Sequence, residues 1–281
     1  MGISRGARLR AWSFNVLLVA AGLVLGAAGP STPAPGPVRI VGGPGGGCIQ
    51  GAVRLPDAAP GMQTIRVGKS SFWGHPDTIA SLMVLGQRAR AAGLPDLYMN
   101  DISGPRGGPL VGGHVSHQMG IDADVWLDVN PPHPLLPVAA REAMEPPSLV
   151  RPDGRGVDPA RWRPGHVTLL KLATGLPGID RVLVNAAIKK QLCQEVTGDR
   201  SWLRLIRPWY GHASHMHINF VCPPGQPECP ARPPIPAGDG CDASLQWWFD
   251  ILDRPPSPPS TTPTRRPPLP LACRAILNAP G

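Results

Sequence analysis

The chain has 281 residues, 42% of them hydrophobic, which is enough to bury the core of one sizeable domain or two small ones. Only 16% are charged, while 38 prolines and 34 glycines point to a compact body with many loops and irregular flanks. The formal net charge of +8 suits an anionic polymer, but the body holds no Lys/Arg block and no aromatic–basic interleaving, which argues against nucleic acid.

Three of the positive charges, Arg5, Arg8 and Arg10, precede an apolar run from Trp12 to Leu25 and the small residues Gly26 to Gly29. That order is the one found in a secretory signal, here residues 1–28. The run is short for a membrane span, which needs about 20 apolar residues, so no stable membrane insertion is expected after cleavage. Residues 29–47 are rich in Pro and Gly and read as a flexible segment. The main domain is expected over 48–254, and 255–281 reads as a Pro-rich tail.

Six cysteines behind a signal imply three disulfides, as befits an oxidising compartment. None lies in a C-x-x-C pair, so a zinc ribbon fits poorly. Of the 15 pairings that six cysteines allow, Cys222 with Cys229 is the easiest, across a short Pro-rich loop.

Pro76 to Ala92 reads as a helix with Asp77 in its first turn and a stripe of Ile79, Met83, Leu85 and Ala89, stopped by Gly93 and Pro95. Leu97-Tyr98-Met99 reads as a short strand, followed by a Gly-rich loop from Gly107 to Gly113. Glycines there allow sharp turns and close approach to a ligand. From Ile121 to Leu127 apolar residues alternate, so a strand turns Ile121, Ala123, Val125 and Leu127 to one face and Asp122, Asp124 and Trp126 to the other. His117 sits on the loop before it, and a turn near Gly120 can fold His117 back toward Asp124.

Asn130 to Pro147 reads as irregular, and Asp158-Pro159 as the opening of a short helix. A helix is expected over Gly165–Gly175, with His166 at its start, then a strand over Arg181–Asn185 and a short helix over Ala186–Cys193. In His212-Ala213-Ser214-His215-Met216-His217-Ile218-Asn219-Phe220, the residues Met216, Ile218 and Phe220 alternate toward a core. His215, His217 and Asn219 take the opposite face. Cys241 to Leu252 reads as a buried closing helix whose tryptophans belong to the core. The Pro/Thr-rich run Pro255 to Pro270 reads as an extended spacer. Together the pieces predict one α+β domain, an antiparallel sheet carrying the site residues with helices packed on one side.

Five of the 8 histidines fall in two clusters, His114 and His117, and His212, His215 and His217. Packing alone does not account for imidazoles at i and i+2 on one strand face. His117, Asp124 and His217 offer three ligands, which leaves a fourth tetrahedral position open, as in catalytic rather than structural zinc sites. Asp122 shares the Asp124 face and reads as a carboxylate that supports the ligands or faces substrate. No H-E-x-x-H motif is present.

H-x-x-G-x-x-x-D followed by H-x-H resembles the LAS family of zinc peptidases and, more closely, its penicillin-insensitive murein endopeptidase branch. The resemblance runs from about Phe72 to Phe249, through Gly74-His75-Pro76, Ser116-His117-Gln118, Asn185 to Lys190, Arg207-Pro208-Trp209 and His215-Met216-His217. It implies Zn2+ held by His117, Asp124 and His217, with His215 as the catalytic partner and His212 in support. His114 would flank or join the metal, and His166 matches a position associated with a second metal, where Arg163 stands in place of an expected acidic neighbour. It implies disulfides Cys48–Cys273, Cys193–Cys241 and Cys222–Cys229, so that Cys273 tethers the tail. It further implies a periplasmic endopeptidase acting on the D-alanyl–meso-diaminopimelyl cross-link of peptidoglycan, with a homodimer left open. The rival readings are a D,D- or L,D-carboxypeptidase of the same superfamily and a catalytically silent wall-binding protein.

Overall fold

The computed structural model describes residues 30–110, 115–130, 134–254 and 267–280. The signal-like residues 1–28, His114 with the preceding Gly112-Gly113, and most of the Pro-rich run after Asp253 lie outside the described residues. Eleven strands are described: β1 (Arg39–Gly43), β2 (Gly46–Gln50), β3 (Val53–Arg54), β4 (Ala58–Ala59), β5 (Met62–Thr64), β6 (Trp73–Gly74), β7 (Leu97–Met99), β8 (Asp122–Trp126), β9 (Ile179–Val184), β10 (Ile206–Pro208) and β11 (His215–Phe220). The helices are α1 (Pro76–Ala91), α2 (Val138–Glu142), α3 (Pro164–Thr174), α4 (Ala186–Glu195), α5 (Ala243–Asp250) and α6 (Leu271–Leu277).

Seven strands form the central sheet, in the order β10-β9-β11-β8-β7-β5-β4. Its middle is antiparallel, and only β9–β10 and β5–β7 pair in parallel. Parallel neighbours need a crossover. The chain supplies α4 between β9 and β10, and α1 between β5 and β7. The α+β expectation therefore holds, and the two strands that carry the histidines and aspartates lie side by side near the centre of the sheet.

The period-2 pattern sorts these two strands as expected. Ile121, Ala123, Val125 and Leu127 around β8 and Met216, Ile218 and Phe220 of β11 enter one core with Leu82 and Leu85 of α1 and Leu169 and Leu170 of α3. Helix α1 starts where Pro76 occupies its first turn and His75 Nδ1 accepts from the Asp77 amide at 3.1 Å. Asn185 caps α4 in the same way, its side chain accepting from the Ala187 amide at 2.9 Å. The three disulfides form as the resemblance implied.

Four expectations are corrected. Residues 39–47 of the segment read as flexible form the β1–β2 hairpin, because Ile40, Val41, Cys48 and Ile49 are buried between the glycines. Within the irregular stretch after Asn130, Val138–Glu142 is helical. No helix opens at Asp158, whose carboxylate instead accepts from the Ala160 amide at 2.8 Å in a turn. Helix α5 buries only Leu245 and Phe249, and Trp247 is exposed rather than core. The end of the tail also folds: α6 packs on β2 and is joined to it by Cys48–Cys273.

Candidate metal centre and cleft

In the β8–β11 pair, His217 lies opposite Asp124, His215 opposite Trp126 and Asn219 opposite Asp122. Directly opposed residues on one face of an antiparallel pair have adjacent Cβ atoms, so this register alone brings Asp124 and His217 together. The His217 Nδ1 is 2.9 Å from Asp124 Oδ1.

His117 arrives from the loop that precedes β8. It has a left-handed φ of 65°, and Gly120 follows at 67°. A Cβ on Gly120 would sit 2.8 Å from the Gly74 Cα, so only glycine fits the turn that returns the chain toward β8. The loop is held from beneath. The Gly108 amide donates to the Gln118 carbonyl at 3.1 Å, and Gly47 of the hairpin lies against Met119 where a side chain would collide. The described part of the Gly-rich loop thus buttresses the loop that carries His117.

His117 Nδ1 meets the Ile102 carbonyl at 3.1 Å, and its Nε2 lies 3.3 Å from Asp124 Oδ1. A carbonyl accepts only from N–H, so Nδ1 donates to Ile102 and fixes the ring with Nε2 facing Asp124. His117, Asp124 and His217 are all buried, with ligating atoms within 4.8 Å of one another. This is the one cluster of three potential ligands found among the described residues.

Asp122 braces the cluster. It accepts from Asn219 at 2.7 Å, from Arg232 at 2.5 Å and from the His117 amide at 3.4 Å, and it lies 3.8 Å from His217 Nε2. Burial would raise its pKa, but His217 and Arg232 outweigh burial and hold its carboxyl below the usual range. Asp124 is likewise held low despite burial, by His117, His217 and His215. Burial disfavours the His217 cation, yet its two carboxylate neighbours raise it to about 9. The carboxylates and the His217 imidazole therefore favour one another's charged forms, and the two buried carboxylates suit a cation.

His215 stands at the rim, part-exposed, with Nε2 3.8 Å from Asp124 Oδ2. His212 lies beside it with ring centroids 4.9 Å apart. His212 Nδ1 donates to the Tyr210 carbonyl at 2.6 Å, and burial, with His215 nearby, lowers its pKa to about 4. It is neutral at pH 7. Asn185 fixes this loop, its amide donating to the His212 carbonyl and its side chain to the Gly211 carbonyl.

His166 is elsewhere. Its Nδ1 accepts from the Arg163 amide at 2.9 Å and its Nε2 donates to the Leu127 carbonyl at 3.1 Å, while its ring stacks on Trp162. Both nitrogens are committed to the backbone, and His166 serves the start of α3. Sequence reasoning passed over Arg232, Arg181 and Asp180. Arg232 bridges Asp122 and Asp180, and Arg181 pairs with Asp180 at 2.7 Å. No local pattern marks Arg232, which enters from beyond the Cys222–Cys229 loop. Asn219, by contrast, was legible from the strand alternation.

Through His217 the cluster borders a cleft of about 270 Å³, lined also by Asn219, Arg181, Arg232 and Trp209, with the β1–β2 turn and Val115-Ser116 as its other wall. A larger apolar groove of about 340 Å³, between α1 and residues 220–224, contains none of the candidate ligands.

Two buried imidazoles and a carboxylate, one of them lining an open cleft, with a third and part-exposed imidazole beside Asp124, define a candidate metallohydrolase centre. The sequence pattern of the penicillin-insensitive murein endopeptidases matches residues 40–278. The chain is 42% identical over 247 residues to the penicillin-insensitive murein endopeptidase of Haemophilus influenzae, covering 84% of this chain and 81% of that protein. It is 40% identical over 250 residues to the enzyme of that name from Klebsiella pneumoniae subsp. pneumoniae, with 88% of each covered, and 39% identical to that of Salmonella arizonae. The chain belongs to the penicillin-insensitive murein endopeptidase family, a family of peptidases.

Proposed function

We propose that the chain is a zinc-dependent endopeptidase that hydrolyses the D-alanyl–meso-diaminopimelyl cross-link of peptidoglycan in the periplasm. The observation that carries this reading is the convergence of His117, Asp124 and His217 beneath His215, inside a chain of this family. Two imidazole nitrogens and one carboxylate are a donor set that suits zinc. When bound, zinc would supply Lewis acidity, polarising the scissile carbonyl and lowering the pKa of water toward about 7.

The remaining work falls to the chain. His215, at the rim, takes the proton from the attacking water and returns it to the leaving amine. His212, neutral and fixed through the Tyr210 carbonyl, holds the loop beside His215 and faces the same space. Asp122 keeps His217 and the His117 backbone in place. Arg181 and Arg232 in the cleft wall suit the carboxylates of the peptide cross-link. No serine nucleophile takes part, which accounts for indifference to penicillin. A secretory signal in residues 1–28 and three disulfides agree with export to an oxidising compartment.

Digestion of purified sacculi tests the reading. The expected result is conversion of cross-linked muropeptide dimers to monomers, stopped by a chelator and restored by zinc. Release of C-terminal D-alanine from monomers alone would make the chain a carboxypeptidase instead, and binding of sacculi with no bond cleaved would make it a silent wall-binding protein.

A further inference from the structure

Four aromatic side chains stand together on the surface beside the cleft. Trp209 and Tyr210 follow β10, and Trp247 and Trp248 sit on α5. Trp209, Tyr210 and Trp247 are 51%, 59% and 43% exposed, respectively. Trp248 is half-buried and touches the others, with ring centroids 6.3 Å from Trp209, 4.8 Å from Tyr210 and 5.1 Å from Trp247. Scattered exposed apolar residues need no explanation, but a contiguous aromatic set does. Leu245 and Phe249 anchor α5 with Trp248 packed beside them, which leaves the exposure of Trp209, Tyr210 and Trp247 unexplained by that anchoring.

The patch is continuous with the cleft. Trp209 lines the cleft together with His217 and Asn219, and the Tyr210 carbonyl holds His212. An occupant of the cleft therefore meets Trp209, and one long enough to leave the cleft on that side meets the other rings. The local charge narrows the choice. Helix α5 carries no basic residue, ends in Asp250 and is capped by Asp242. Those carboxylates, with no lysine or arginine on the helix itself, disfavour an anionic lipid surface, and the nearby cations, Lys190 and Arg207, lie against Phe249 and Asp242. An uncharged ring surface with polar edges fits better. Pyranose rings offer C–H faces that pack on indole and phenol rings, N-acetyl methyls fill the gaps between them, and the indole N–H and phenol O–H can bond sugar hydroxyls.

We propose that Trp209, Tyr210, Trp247 and Trp248 form a saccharide-binding extension of the cleft that takes the glycan strand of murein while the peptide cross-link lies over the metal centre. This rests on the murein reading above. Trp247, at the far end from the cleft, contributes to binding of the strand and takes no part in hydrolysis.

The test uses the full chain and its Trp247→Ala and Trp247→Tyr variants. Calorimetric titration with an uncharged oligosaccharide of β-1,4-linked N-acetylglucosamine should show binding to the wild type, weakened at least tenfold in Trp247→Ala and largely restored in Trp247→Tyr. On intact sacculi, Trp247→Ala should lower kcat/KM at least fivefold, and on a sugar-free cross-linked peptide dimer it should leave kcat/KM unchanged. No glycan binding by the wild type, equal binding by Trp247→Ala, or equal losses on both substrates would overturn the proposal. So would binding to anionic phospholipid vesicles that Trp247→Ala abolishes while glycan binding stays intact. If the wild type opens neither substrate, the endopeptidase reading fails, and the glycan titration still decides the surface by itself.

Discussion

Asp124 and His217 are directly opposed residues on neighbouring antiparallel strands, 93 positions apart in the chain, with His217 Nδ1 2.9 Å from Asp124 Oδ1. Neither reaches the other through a flexible loop. Strand register places both, and a one-residue slip of β11 would send His217 into the core and Ile218 into the cleft. Substituting either ligand should therefore remove function while the sheet survives. His217→Ala and Asp124→Ala are expected to lose cross-link cleavage by at least ~10³-fold and to bind substoichiometric zinc by elemental analysis. His215→Ala should keep near-stoichiometric metal and still lose ~10²–10⁴-fold in kcat, the range for removing a general base. Equal metal loss in all three variants would place His215 among the ligands.

Asp122 touches no substrate-facing atom that the cleft requires, yet it receives Asn219, Arg232 and the His117 amide. Asp122→Asn is expected to weaken zinc binding about 10–100-fold, the usual cost of losing a carboxylate that orients a ligating histidine. Competition with a chromophoric chelator measures it. Unchanged affinity would mean that the strand register alone orients His217.

The turn at Gly120 makes a sharper demand. Gly120→Ala combines a φ of 67° with a collision against the Gly74 backbone. It should cost about 1–3 kcal/mol of stability and should lower zinc affinity as well, because His117 rides on that turn. A melt with and without metal separates the two effects: loss of stability with full metal-induced stabilisation would exclude any displacement of His117.

Lys189 gives a pH dependence outside the metal centre. Its ammonium is buried and donates to the Leu203 carbonyl at 2.7 Å and the Asp239 carbonyl at 2.5 Å. Burial, with Arg207 nearby, lowers its pKa to about 8 from 10.5. Between those values the unfolded chain holds a proton that the folded chain has released, so stability from this group rises with pH across that window. From pH 7.5 to 9.5 the gain should be about 2 kcal/mol. Above pH 10 the Tyr98 hydroxyl, pushed up to about 12 by burial, works in the opposite direction. Urea melts of the wild type and Lys189→Met at the two pH values test this. The variant should be less stable at both, because the Asp239 carbonyl loses its ammonium donor and the Leu203 carbonyl keeps only the Ile206 amide, and it should lack the rise.

Breaking Cys48–Cys273 with a double alanine substitution should cost about 2–5 kcal/mol. It should also reduce activity, because the β1–β2 hairpin that this bond ties to α6 lies against Met119 and forms one wall of the cleft. Activity of the intact variant at 10 °C, where it remains folded, isolates the second effect.

Much of the site was legible because strand alternation is a strong local signal. Ile121 to Leu127 and His215 to Phe220 each assign their ligands to one face without reference to the rest of the chain. Helices α1, α3 and α4 were legible for a similar reason, with a Pro or Asn at the start and an apolar stripe. What stayed hidden depends on tertiary context. The β1–β2 hairpin is written mostly in glycine and proline, residues that signal loops, and only its contacts with Met119 and α6 explain them. Trp247 and Trp248 look like core by composition, because hydropathy does not reveal which side of α5 meets the body. Arg232 reaches Asp122 across 110 positions, and no spacing rule covers that distance. His166 stands at a helix start in a pattern open to more than one reading, and only its two backbone partners settle its role in packing.

The antiparallel contact of β8 with β11 lies near the middle of the sheet, where it joins the first half of the chain to the second. A cation held by His117, Asp124 and His217 would therefore act as a clasp between the halves as well as a reagent. Its binding free energy would add to folding. Each tenfold rise in free metal above the dissociation constant would raise stability by about 1.4 kcal/mol. Resistance to heat would then report metal supply, and a protein starved of zinc would melt sooner as well as lose its chemistry.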